Sequence, residues 1–228
     1  MSSVPSDAWP DWEDQFATFL RTQADADAAH DRAHVERVVA AARRLAADAD
    51  AALEVVLPAA WLHDCVTVPK DDPQRAEASR LAARAAVEFL SEAGYPQAWH
   101  DDIAHAIAAH SYSGDVTPHT LEAKIVQDAD RLDALGAVGI ARCFMVGGAL
   151  DHALYDPDDP FCESRTPDDD TYAVDHFFAK LLRLPDTMKT EAGRAEAERR
   201  AAVMRNYLDQ LGIEIGRPPS TKRFASLT

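Results

Sequence analysis

Four stretches of the sequence gather side chains able to hold a cation or move a proton. The first is "AHDRAHVERVVAAA", where His30 and His34 stand four residues apart and share a face if the segment is helical. Alone the pair is a weak signal, because Asp31, Arg32, Glu36 and Arg37 surround it as they would on any solvated helix face. The second is "WLHDCVTVPK", in which His63 and Asp64 follow the apolar run "EVVLPAAWL". Two polar groups at the buried end of a helix are costly unless something satisfies them. A local use also exists: a His capping helix carbonyls and an Asp opening a turn. The third is "HDDIAHAIAAHSYSG", with His100, His105 and His110; the last two are five apart, which is not single-face spacing. The fourth is "EAKIVQDADRLDALGAVGIAR", where Asp128, Asp130 and Asp133 interrupt an apolar helix pattern. Arg131 or Arg142 could pair with one of them. Several carboxylates in one apolar helix ask for more, and a divalent cation is a good partner.

Helices must position these groups. Alanine is abundant, alternating β-branched patterns are nearly absent, and apolar residues recur at three and four. The pattern predicts helices at about 11–24, 31–47, 52–65, 73–93, 97–111, 120–134, 136–147, 172–183 and 190–212. Asp72 before Pro73 reads as the N-cap of the fourth, and Gly94 as its C′ residue, with Tyr95-Pro96 forbidding continuation. The stretch 151–170 is rich in Pro and Asp and reads as a long acidic loop, functional or disordered. The expected architecture is one all-α domain over 1–215, followed by a loose tail over 216–228.

Bulk composition narrows the partners. Acidic residues outnumber basic ones 39 to 23 over 228 residues, for a formal net charge of −16. Such a surface repels polymeric nucleic acid, yet a local cation cluster or a metal can still hold a small anion. Cys65, Cys143 and Cys162 are odd in number, widely spaced and form no CxxC, which fits a reducing cytosol. The acidic N-terminus lacks the features of a signal peptide. The longest apolar stretch, "GAVGIARCFMVGGAL", is broken by Arg142 and too short for a bilayer, so a cytoplasmic protein with no membrane partner is expected.

Taken together, the four stretches change the odds. A His, then a His-Asp pair, then an Asp in an apolar helix resembles the signature of the HD superfamily of metal-dependent phosphohydrolases. The blocks "AHDRAHVERV", "AAWLHDCVTVPKDDPQRAEAS", "IAHAIAAHSYS" and "EAKIVQDADRLDALGAVGIAR", with the C-terminal "HFFAKLLRLPDTMKTEAGRAEAERRAAVM", resemble the bacterial YedJ/YpgQ-type branch over roughly 28–210. The resemblance implies an HD-domain helical bundle with additional C-terminal helices. It also implies that His34, His63, Asp64 and Asp130 are metal ligands. Asp130 is picked among the three aspartates because the family ligand precedes a basic residue in an "ADRL"-like run. Asp128 and Asp133 then become candidates to orient the ligands or pair with Arg37, and His30 and Asp31 lie one turn from the first ligand.

Two imidazoles and two carboxylates suit Mn²⁺, Mg²⁺, Fe²⁺ or Co²⁺, and Zn²⁺ less exclusively. The chemistry expected is hydrolysis, with Asp64 or His110 accepting a proton and Lys70, Arg75, Arg131 and Lys180 as contacts for phosphate. His105 and His110 could assist substrate binding or a second metal. The branch resemblance points to a nucleotide substrate, with pyrophosphate release from a nucleoside triphosphate as the specific reaction, and leaves room for a homodimer. Two other readings keep the fold: a di-iron oxygenase, and a non-catalytic metal- or nucleotide-binding regulatory module.

Overall fold

The computed structural model describes residues 4–23, 28–66, 68, 75–111 and 114–218; the side chains of 23, 28–31 and 75 lie outside that description. The described residues are helical, and no strand forms among them beyond one isolated parallel bridge between Ala153 and Tyr172. The all-α expectation holds.

The chain divides into two compact units, Met1–Asp130 and Arg131–Thr228. In the first unit, α1 (Trp9–Gln23), α2 (Ala28–Ala49), α3 (Leu53–Leu62), α4 (Ala78–Ala93), α5 (His100–His110) and most of α6 (Leu121–Leu132) build the core. The helix α3 is buried from Val55 to Leu62, all round rather than on one stripe. Such a helix is central, and α1, α2 and α5 all pack against it. Trp12, Phe16, Phe19, Phe89 and Tyr95 form an aromatic cluster, with Phe19 and Phe89 stacked at 4.2 Å and Trp12 edge-on to Tyr95 at 4.9 Å.

Pro58 sits inside α3 and has no N–H to give the carbonyl of Glu54. The Tyr95 hydroxyl donates to that carbonyl instead, at 2.8 Å. Tyr95 is delivered there by the end of α4. Gly94 takes φ 78°, as expected of a C′ glycine; its N–H reaches Ser91 O, and the Tyr95 N–H reaches Leu90 O at 2.9 Å. This is a Schellman cap, and it ties one helix end to a neighbour's proline.

The second unit holds α7 (Gly136–Ala149), α8 (Asp175–Ala179), α9 (Leu184–Thr187) and α10 (Glu191–Glu214). Phe144, Phe177 and Tyr207 pack together in it. The stretch 151–170 is irregular, as its composition suggested, but it is internally bonded. Asp159 accepts from the N–H groups of Glu163 and Ser164, and Arg165 forks onto the fully buried carboxylate of Asp175.

Some boundaries differ from the periodicity. The helix expected over 73–93 starts as α only at Ala78, after a 3₁₀ turn at Arg75–Glu77; Asp72 and Pro73 lie outside the described residues. The helix expected over 52–65 stops at Leu62, with His63 as its C-cap, still helical at φ −57° and ψ −35°, and Asp64 in the turn beyond it. The helix expected over 172–183 is broken into α8, a 3₁₀ turn at Leu181–Arg183 and α9. There Lys180 leaves helical geometry at φ −137°, and Pro185 begins a new first turn. Of the tail, only residues up to 218 are described.

Candidate metal centre

Two helices end in histidine at the same place, by the same device. His63 is the C-cap of α3, and its Nδ1–H donates to the carbonyl of Ala60, three residues back, at 2.9 Å. His110 is the last residue of α5, and its Nδ1–H donates to the carbonyl of Ile107, also three back, at 2.6 Å. The last carbonyls of a helix lack intrahelical partners, so a terminal imidazole can satisfy one of them. A carbonyl only accepts, so each bond places the ring proton on Nδ1 and turns Nε2 beyond the helix end as a lone-pair donor.

The Nε2 atoms meet two carboxylates. His63 Nε2 is 3.4 Å from His34 Nε2, 3.5 Å from Asp64 Oδ2 and 3.9 Å from Asp130 Oδ1. His34 Nε2 is 3.4 Å from Asp130 Oδ1, and His110 Nε2 is 3.4 Å from Asp64 Oδ1. His63 thus belongs to two donor groups, one with His34 and Asp130 and one with Asp64 and His110. The three imidazoles are buried, whereas the Asp64 side chain is 47% exposed and that of Asp130 28%. The group is walled by protein on the imidazole side and open on the carboxylate side.

Lone pairs that face one another repel unless a proton or a cation lies between them. Ligands sharing one ion at about 2.1 Å stand roughly 3 Å apart, close to the separations here. The donor set therefore fits a divalent ion, and His34, His63, Asp64 and Asp130 could hold one with His110 beside it. The ionisation pattern agrees. Burial lowers the pKa of His63 against the raising effect of Asp64 and Asp130, favouring the neutral imidazole a metal needs. Burial would raise Asp64, but the neighbouring His63 and the bond to His110 outweigh it and lower the carboxyl. Asp130 is lowered too, burial being overcome by the bond to His34 and the neighbouring His63 and His110. His110 is raised, because the bond to Asp64 and its charge exceed the opposing effect of burial.

The remaining expected site residues are placed as follows. Arg37 is half-buried on α2, one turn beyond His34, and Asp128 is fully buried on α6. Asp133 pairs with Arg142 in the second unit. The Arg131 guanidinium donates to the carbonyl of Thr187 at 2.8 Å, and Lys180 is exposed. His105 engages His119: its Nε2 accepts the His119 N–H at 3.1 Å and the rings lie 3.6 Å apart. Neither donor group among the described residues includes His105. His30, Asp31 and Arg75 have described backbone only, and Lys70 lies outside the described residues. The carbonyls of Ala60 and Ile107 leave no mark in the sequence, since any residue supplies a carbonyl. Gln127, buried one turn before Asp130, was legible only as a polar residue in an apolar run.

Comparison with known proteins follows the same residues. The HD-domain family model matches residues 32–135, a span that contains all five members of the centre. The uncharacterised protein YpgQ of Bacillus subtilis is 36% identical over 207 residues, covering 89% of this chain and 93% of its own. The crystal structure of YpgQ in complex with ADP is similar at 35% identity and a TM-score of 0.66, covering 89% of this chain and 94% of that one. An HD-superfamily hydrolase from Bacillus thuringiensis is similar at 30% identity and a TM-score of 0.71, covering 90% and 97%. This chain therefore belongs to the HD-domain superfamily, in the branch that includes YpgQ.

Proposed function

We propose that this chain is a divalent-metal-dependent phosphohydrolase acting on a nucleotide, releasing pyrophosphate from a nucleoside triphosphate. The observation that carries the reading is His63, shared between two acceptor-rich donor groups that open toward solvent at Asp64. The ADP bound by the relative YpgQ supports a nucleotide as the small phosphorylated partner. His34, His63, Asp64 and Asp130 would hold the ion, with Mn²⁺ or Mg²⁺ ahead of Fe²⁺, Co²⁺ or Zn²⁺ on the hardness of the donors. A bound ion of this kind lowers the pKa of a water ligand and polarises a phosphoryl oxygen.

The chain's own part is positioning and proton handling. The Ala60 and Ile107 carbonyls lock the two imidazoles in one tautomer, so His63 Nε2 and His110 Nε2 face the reacting side. Asp64, the most open member, can take a proton at Oδ1 and share it with His110 Nε2 at 3.4 Å. Lys70, Arg75, Arg131, Lys180 and His105 are the proposed contacts to phosphate oxygens; single alanine variants of true contacts raise KM. The net charge of −16 argues against polymeric nucleic acid as substrate, and the three free cysteines suit a reducing, cytoplasmic setting.

The test is a screen of metal-stripped protein with nucleotides and other phosphoesters, each with Mn²⁺, Mg²⁺, Co²⁺, Fe²⁺ and Zn²⁺, separating phosphate from pyrophosphate. Metal-dependent pyrophosphate release, lost in Asp64→Asn, is the expected result. No turnover with any metal would overturn the reading in favour of a binding module. Turnover that persists without oxygen separates it from an oxygenase.

A further inference from the structure

We propose that Gln127 is a positioning residue that pins the end of α5 to α6 and thereby fixes His110 relative to Asp130. Gln127 is 3% exposed and lies one turn before Asp130 on α6. Its Nε2 donates to the carbonyl of Ala109 at 2.6 Å, and Ala109 directly precedes His110. That carbonyl belongs to the last turn of α5, where the helix has no further N–H to offer. The donated bond therefore closes the helix at the point where its terminal imidazole must hold still.

The orientation of the amide is fixed by chemistry. Turning it over would set Oε1 against the Ala109 oxygen, two acceptors face to face. As it stands, Oε1 is buried and has no hydrogen-bond partner among the described residues. A buried unpaired acceptor is a liability that an apolar side chain of the same length would avoid. Glutamine here thus carries a cost that the bond to the Ala109 carbonyl offsets. The contacts form one path: Asp130 and Gln127 share a helix face, Gln127 holds Ala109, and His110 Nε2 faces Asp64 Oδ1 at 3.4 Å. Gln127 acts through His110, reaching neither substrate nor ion itself.

The kinetic arm of the test rests on the proposed phosphohydrolase reading; the exchange arm does not. Gln127→Met removes the bond while keeping the length, and Gln127→Glu puts a carboxylate against the Ala109 carbonyl. Both are compared with His110→Ala and with the double variant Gln127→Met/His110→Ala. In metal-free protein, hydrogen exchange in a peptide spanning the end of α5 should speed up roughly tenfold, with α2 and α3 unchanged. Nucleotide kcat should fall roughly 10- to 100-fold with KM held. The double variant should be no slower than the slower single, because both lesions remove one function. Exchange that rises equally across the unit, exchange that does not change, or losses that multiply in the double variant would each overturn the assignment. Should Gln127→Glu fail to fold, Gln127→Met carries the test. If wild-type protein hydrolyses no nucleotide, the functional reading falls while exchange still decides the role of Gln127.

Discussion

At the scale of single residues, the centre depends on which nitrogen of each imidazole carries the proton. Nδ1–H bonds to the chain's own carbonyls leave Nε2 of His63 and His110 pointing at carboxylates. Removing a donor should then cost more than the 10–100-fold typical of losing a ligand's hydrogen-bond partner. His63→Gln and Asp130→Asn are expected to lose bound Mn²⁺ by elemental analysis and to drop nucleotide turnover beyond that range. Retention of a full equivalent of metal by both variants would exclude them as ligands. His34, His63, Asp64 and Asp130 could be nominated from residue types and family order. What each neighbouring side chain bonds to could not: His105, in the same block as His110, accepts the His119 N–H. Five-residue spacing fixes the angle between two side chains on a helix, but not what lies opposite each of them.

At the scale of elements, boundaries with a local cause were readable and boundaries with a distant cause were not. Gly94 ends α4 because only the left-handed region allows the turn, and that is written in the glycine itself. The start of α8 at Asp175 rather than at 172 sits where a distant loop returns: Arg165 and the Asp168 N–H both bind Asp175, and nothing in the helical period announces them. Two predictions belong here. Tyr95→Phe leaves the Glu54 carbonyl, freed by Pro58, without its donor. Chemical denaturation should report a loss of about 1–3 kcal/mol, and no loss would mean that carbonyl is satisfied some other way. On α10, Arg199 and Arg200 together hold the Glu196 carboxyl down to about 2 from its ordinary 4.5, the bond to Arg199 being the larger cause. A carboxyl lowered by folding contributes stability above its unfolded value and loses it as pH falls toward the folded one. Glu196→Gln should therefore reduce the change in stability between pH 4.5 and about 2, and leave it unchanged if the pairing does not matter.

At the scale of the whole molecule, a net charge of −16 makes the native state pay for its own crowding of like charge, and a divalent cation relieves part of it. An ion that binds only the folded chain stabilises it by about 2.7 kcal/mol at a hundredfold excess over Kd. For a chain of this size that is a rise in Tm of roughly 5–10 °C. Scanning calorimetry with and without Mn²⁺ should show the rise in the wild type, its reversal by chelator, and its absence in Asp130→Asn. An equal rise in that variant would mark the effect as general charge screening.

The two histidine-terminated helices also set a sequence of events. A helix C-terminus carries a partial negative charge, and α3 and α5 both end beside Asp64. On the proposed nucleotide reading, an incoming polyphosphate would meet a repulsive rim until a cation has settled there, which predicts an order of addition with metal before nucleotide. Metal alone should titrate the protein to saturation, and nucleotide alone, in chelator, should leave it unmarked.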